Sequence, residues 1–238
     1  MKSVTIVLVS ALLLTAPVAF AQTPYEQDFE LLAMVDGSLA ADGWLVYGNV
    51  SDAGGNYLYG HGPWPAPNNI SNWCDITTGQ GGIDQGDQQL SMFSDYNNPD
   101  HALGYLIESN LYQEQTLPVG ASGIWCFQFD AKMGDLTGAS TASAFIKTLD
   151  PGAGYALTNH IIYDTTTLPE TWGTYTIYLD VTGLDNQLFQ IGFATVASNY
   201  EPCGVFYDNV FLFELSPSAA AEPESQSTTF TRIKAMYR

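Results

Sequence analysis

Between residues 43 and 215 apolar positions recur with a period of two, in runs of five to eleven residues separated by Gly, Pro, Asn and Asp. Such alternation predicts half-buried β-strands, because successive side chains on a strand point to opposite faces. Runs of this kind cover residues 43–50, 89–93, 103–111, 124–132, 142–149, 156–163, 174–181, 187–196 and 205–215. In the fourth, Trp125, Phe127 and Phe129 share a face opposite Cys126, Gln128, Asp130 and Lys132. In the seventh, Tyr175, Ile177, Leu179 and Val181 oppose Thr176, Tyr178 and Asp180. No stretch after residue 21 has helical periodicity. About ten strands joined by turn residues predict an all-β fold, an antiparallel β-sandwich.

Two segments depart from the pattern. Residues 52–88 are rich in Gly, Pro and aromatics, and read as a long irregular excursion between strands, a place where function often resides. The last run is the most apolar of all, yet it contains Asp208. Strict alternation puts Phe206, Asp208, Val210 and Leu212 on one face and Val205, Tyr207, Asn209, Phe211 and Phe213 on the other. A carboxylate in a strand covered on both sides is costly unless a cation or several donors neutralise it.

Charge makes donors of that kind scarce. The net charge is −19. Of the six basic residues only Lys132 and Lys147 fall within residues 22–215, whereas of the 25 acidic residues only Glu222 and Glu224 fall outside them. A body of this sign is a poor partner for nucleic acid, anionic lipid or polyanionic sugar. Solvation, salt or divalent cations must balance it. Residues 1–21 read as an export signal: Lys2, an apolar run from Val4 to Leu14 too short to span a bilayer, and the Ala19-x-Ala21 cleavage pattern. No other segment reads as a membrane span. Residues 22–215 then form one domain, secreted to the extracellular space or periplasm. Residues 216–238, with Pro217, Pro223 and a Ser/Thr run, read as a disordered tail or linker. Among three cysteines at least one is unpaired. Cys74 and Cys203, both beside turn residues in an exported chain, are the expected disulfide, with Cys126 mid-strand.

Neutral sugars present apolar C–H faces rimmed by hydroxyls, so their sites combine flat rings with amides and carboxylates. Tyr57, Tyr59, Trp64 and Trp73 could supply rings. Gln128, Asp130, Tyr178, Gln190, Glu108 and His160 could line a polar sheet face. Trp44, Trp125 and Trp172 are expected in the core. His61, His101 and His160 are scattered, and no nucleophile-elbow, zincin or phosphate-loop motif is present. A polysaccharide lyase acting on uronates would need more cations than two lysines.

Asp28-Phe29-Glu30, Gly43-Trp44, Trp172-Gly173-Thr174-Tyr175 and the closing Tyr207-Asp208-Asn209-Val210 together resemble the galactose-binding-like jelly rolls of secreted bacterial proteins, which include many carbohydrate-binding modules. The likeness spans residues 25–215 through short motifs. It implies a structural calcium between the first and last strands, with Glu30 and Asp208 as carboxylate ligands, Asp28 beside them, and carbonyls near Gly86-Asp87-Gln88 completing the set. The leading expectation is a secreted, calcium-stabilised, non-catalytic module for neutral polysaccharide or cell-surface glycan. The alternatives are an adhesive surface protein that self-associates, through Arg232, Lys234 and Arg238 of the tail against the acidic body, and a glycoside hydrolase on the same sandwich.

Overall fold

The computed structural model describes residues 23–69 and 73–215. The export signal and the tail, with its expected self-association, lie outside the described residues. Twelve strands follow one another: β1 (Tyr25–Gln27), β2 (Trp44–Ser51), β3 (Tyr57–Pro65), β4 (Cys74–Thr78), β5 (Gln88–Met92), β6 (Leu106–Thr116), β7 (Ile124–Leu136), β8 (Thr141–Asp150), β9 (Ala156–Asp164), β10 (Gly173–Asp180), β11 (Leu188–Ala197) and β12 (Cys203–Glu214). All nine expected runs are strands. The excursion at residues 52–88 is not irregular throughout, since it contains β3 and β4. β3 carries Gly60, Gly62, Pro63 and Pro65, which mask its period and which an edge strand tolerates because one row of its backbone groups needs no partner.

The strands form two antiparallel sheets, the architecture expected from the alternation. One has the order β10-β7-β12-β5-β4, with β1 also paired to β12, and the other has the order β3-β2-β6-β11-β8-β9. The first is called sheet A below and the second sheet B. Between them lies one core in which Phe127, Phe129, Phe193, Tyr207 and Trp44 are fully buried. Phe193 of β11 stacks on Tyr207 of β12 at 3.7 Å between ring centroids, and Phe129 meets Phe193 edge-on at 5.4 Å. Each such ring removed from water contributes about 1.5–3 kcal/mol, so this contact clamps the sheets together.

β12 is the central strand of sheet A. β7 runs along one edge of it from Cys203 to Glu214, while the other edge is shared: β5 pairs with Val205–Tyr207 and β1 with Val210–Leu212. The changeover falls at Asp208–Asn209, where a bulge breaks the register with β7 and Asn209 takes φ +44°. An extra residue in a bulge reverses the parity of the strand. Val205 and Tyr207 therefore face the core before it, and Val210 and Leu212 after it. This corrects the strict alternation expected for the run, which put Asp208 on the face of Val210 and Leu212.

The cysteines are all buried and free. Cys74 lies on β4 and Cys203 on β12, with β5 between them, and Met92 of β5 pairs with both Cys74 and Val205. Two strand spacings amount to about 9.5 Å, beyond the reach of a disulfide, so the expected Cys74–Cys203 bond is not formed.

Candidate functional site

The six residues expected to form one sugar site fall in three places. Tyr57 is exposed on the outer face of sheet B, against Tyr47 of the neighbouring strand. Tyr59 and Trp64 lie on the other side of β3, at the sheet edge, around His61 at 5.9 and 5.7 Å between centroids. Trp73 completes that cluster edge-on to His61 at 5.0 Å, but it is fully buried and offers no face to a ligand, which removes it from the expected site. Tyr59 is further tied down by donating its hydroxyl to Asp100 Oδ2 at 2.7 Å. Asp95 Oδ2 stands 3.8 Å from His61 Nε2, and burial lowers the pKa of His61 more than Asp95 raises it. Gln128 and Tyr178 stand on sheet A, with Gln128 opposite Thr176 and Phe211, and Tyr178 opposite Cys126. They point away from the core residues Phe127 and Phe129, on the outer face opposite to that of Tyr57, and cannot act with it.

What sequence reading did not assemble is a cleft on the outer face of sheet B. Its volume is about 340 Å³, and Glu108, Ser143, Phe145, Lys147, His160 and Ala194 are among its lining residues. The register explains its shape. On central β11 the outward positions are Gly192, Ala194 and Val196, while β6 on one side presents Tyr112, Asn110 and Glu108 and β8 on the other presents Phe145, Ser143 and Thr141. Small residues on the middle strand leave a trough between larger neighbours. Gly192 has no alternative, because a Cβ there would collide with the Leu111 carbonyl and crowd the Phe145 ring. Lys147 crosses the trough: its ammonium lies 4.1 Å from the Phe145 ring centroid and donates to Asn110 Oδ1 at 3.1 Å. Burial lowers its pKa and Glu108 opposes that shift. Glu108 Oε2 accepts from Asn49 Nδ2 at 2.6 Å. His160, opposite Lys147 on β9, has its pKa lowered by burial and by Lys147. Glu108 and His160 were legible as polar candidates. Lys147 could have been found as one of two cations in the acidic body, on the outward parity of a strand whose neighbour reads Gly192-x-Ala194.

The residues expected to hold calcium do come together. Asp28 Oδ1 accepts from Glu30 N at 3.2 Å across a turn in which Phe29, at φ +60°, is fully buried and anchors the segment. Glu30 Oε1 accepts from the amides of Asp87 and Gln88, both at 2.8 Å. The Glu30 carboxylate occupies the space a side chain on Gly86 would fill, and Gly86 is at φ +59°. So the 86–88 turn presents amides to Glu30, and Gln88 Nε2 donates to the Glu30 carbonyl at 2.8 Å. On β12, among the described residues, Asp208 Oδ1 accepts only from Asn209 N, at 2.6 Å, and its buried Oδ2 has no partner. Its pKa is pushed up to about 8, by burial first and then by the charges of Asp130, Glu30 and Asp28. Gln88 Oε1 is a second buried acceptor that has no donor among the described residues. Asp130 is the contrast: it accepts from Thr174 Oγ1 at 2.6 Å and from Gln85 Nε2 and Asn209 Nδ2, each at 2.8 Å. Two orphaned acceptors amid carboxylates suit a hard cation taking oxygen ligands. No group of three His, Cys, Asp or Glu side chains among the described residues forms a metal-holding cluster, so such an ion would draw on amide or carbonyl oxygen beside two carboxylates.

Two antiparallel sheets on one aromatic core, with a polar cleft on one outer face and a carboxylate cluster on the other, define a jelly-roll β-sandwich. No protein-family model matches the chain, and no curated protein resembles it in sequence. Solved structures of similar architecture are mostly carbohydrate-binding modules. One is the CBM22-1–GH10 portion of a Clostridium thermocellum endo-1,4-β-D-xylanase complexed with xylohexaose, at 12% identity over 78% of this chain and 28% of that one, with a TM-score of 0.44. Another is the enzymatically active domain of tailspike protein 4 of bacteriophage CBA120, at 14% identity over 78% of this chain and 22% of that one, TM-score 0.43. The CBM22-2 xylan-binding domain of Paenibacillus barcinonensis is 11% identical over 60% of this chain and 86% of that one, TM-score 0.38. The chain spans about a quarter of the length of the first two. These are likenesses of fold and assign no residue a role. No helix among the described residues is long and apolar enough to cross a membrane.

Proposed function

We propose that this chain is a secreted, non-catalytic module that binds neutral carbohydrate on the outer face of sheet B and is stabilised by calcium at the start of β12's bulge. The observation that carries the reading is the cleft. Within one face it offers an ammonium, two carboxylates, an imidazole and hydroxyls, and the exposed ring of Tyr57 stands at the β3 end of the same face. Sugar hydroxyls need donors and acceptors in close alternation, and a ring gives their C–H face a surface to lie on. The surrounding acidic body disfavours anionic polymers. For the ion, Asp208 and Glu30 would be the carboxylate ligands and Gln88 Oε1 a neutral one. Calcium would neutralise the crowded carboxylates and tie the first segment of the chain to its last strand.

The test is a glycan array and calorimetry on neutral oligosaccharides, xylohexaose among them, with calcium and with chelator. Saturable binding without bond cleavage supports the reading. Cleavage of any of them would make the chain an enzyme, and concentration-dependent assembly with no sugar bound would favour the adhesive alternative. For calcium, a melting temperature unchanged by chelator removes the ion from the proposal.

A further inference from the structure

The cleft contains a cation that the fold itself does not pair. Lys147 is one of two bases within residues 22–215, yet among the described residues no carboxylate lies within ion-pair distance of it. Lys147 is half-buried, Phe145 supports the ammonium, and among the described residues a single neutral acceptor, Asn110 Oδ1, takes one of its three N–H donors. A few residues away on the same face, Glu108 is held at Oε2 by Asn49, and Oε1 has no protein donor among the described residues. The arrangement therefore presents donor and acceptor valences from the two strands that flank the small residue Ala194, both fixed by neutral amides rather than spent on each other.

We propose that Lys147 and Glu108 read a pair of adjacent hydroxyls on one sugar ring, Lys147 Nζ donating to one oxygen and Glu108 accepting a hydrogen bond from the other. The inference rests on the carbohydrate-binding reading and deepens it, because it selects uncharged rings that carry a vicinal diol. Two kinds of ring could use a lysine, a neutral one and a uronate. The second is disfavoured: Glu108 and Asp164 line the same cleft, so a carboxylated sugar meets one ammonium against two carboxylates within a strongly acidic body. A neutral diol satisfies both partners and brings no charge. A site built to pair with hydroxyls also rejects an analogue that lacks one, since its half-buried groups are then left unpaired.

The experiment measures binding of xylohexaose, cellohexaose, mannohexaose and a galacturonic acid hexamer to wild type, Lys147→Met and Glu108→Gln, with a melting curve for each. The expected result is binding of at least one neutral sugar to wild type, an affinity loss of about tenfold or more in either variant at unchanged melting temperature, and no binding of the uronate. Acetic anhydride footprinting of the unmutated protein supplies a reading that does not depend on how the variants fold. Saturating sugar should slow acetylation of Lys147 and leave Lys132 unchanged. Neutral-sugar binding that survives Lys147→Met, or footprints that do not change, overturns the inference alone. Preference for the uronate overturns it too. A wild-type protein that binds none of the four overturns the carbohydrate reading with it.

Discussion

Each outer face of the sandwich buries a charge, and the two charges are handled in opposite ways. On sheet A, Asp208 sits at a bulge with one oxygen on a neighbouring amide and the other on nothing, and its nearest charges are carboxylates of the same sign. On sheet B, Lys147 rests on an aromatic ring, donates to a neutral amide and faces a carboxylate at a distance. A buried charge ringed by like charge is a deficit that something from outside must fill, either a proton or a metal ion. A half-buried charge supported by a quadrupole and a neutral acceptor is already tolerated, and its remaining valences can serve a ligand. In the proposed function the first arrangement closes the fold, whereas the second equips a surface.

The sharpest way to break the comparison is at the bulge. Asn209 combines a left-handed φ with bonds from its side chain to the Asp84 carbonyl at 3.0 Å and to Asp130. Asn209→Val should therefore cost about 2–4 kcal/mol in denaturant unfolding, since it adds backbone strain to two lost hydrogen bonds. A cost near zero would mean that the bulge organises nothing.

Next in size is the pH dependence of the chelated protein. In the fold Asp208 holds its proton up to about pH 8, whereas in the unfolded chain it releases it near 3.8. The native state thus binds more protons between those values, and stability falls as pH rises through that window. Bound calcium should flatten the slope. Asp208→Asn in chelator should do the same and add on the order of 1–3 kcal/mol at neutral pH, because the fold no longer has to take up a proton to keep that side chain neutral. Thermal melting at pH 5 and 8, with and without calcium, checks all of this, and a stability that rises with pH in chelator would reverse the assignment.

On the other face the effects should be on binding and not on folding. Lys132, against Trp172 and Phe206 on sheet A, is the matched control: Lys132→Met should leave sugar affinity unchanged, whereas Lys147→Met should not. Tyr57→Ala should weaken binding only about two- to fivefold, because an exposed ring at the end of the face contributes stacking without fixing register. The smallest expected effect is none. A reducing agent should leave the melting temperature in place, because the thiols are free, and a drop would restore a disulfide.

Strand positions were legible wherever both faces of a strand kept a clear period. They were lost at β3, where glycine and proline at an edge erase it, and at the bulge, where one residue at positive φ switches Val210 and Leu212 to the core side. The carboxylates of the closing strand and of Asp28-Phe29-Glu30 could be paired on paper through their resemblance to galactose-binding-like jelly rolls, whereas composition showed only that cations to balance them are scarce. The sugar candidates could not be grouped, since side-chain type says that a ring or an amide is present but not which of two outer faces it occupies. Trp73 shows the limit: it lies among turn residues, yet the packing of His61 and Trp64 buries it.

By itself the sequence determined the all-β class, most of the strands and the charge that excludes polyanions, because period and composition are local properties of the chain. Only the tertiary structure decided that β1 and β5 share one edge of β12, that Asp208 sits where they change over, and that Gly192 and Ala194 open a trough beneath Lys147. Those facts depend on which strand lies beside which, and pairing between residues tens of positions apart leaves no period in the sequence to read.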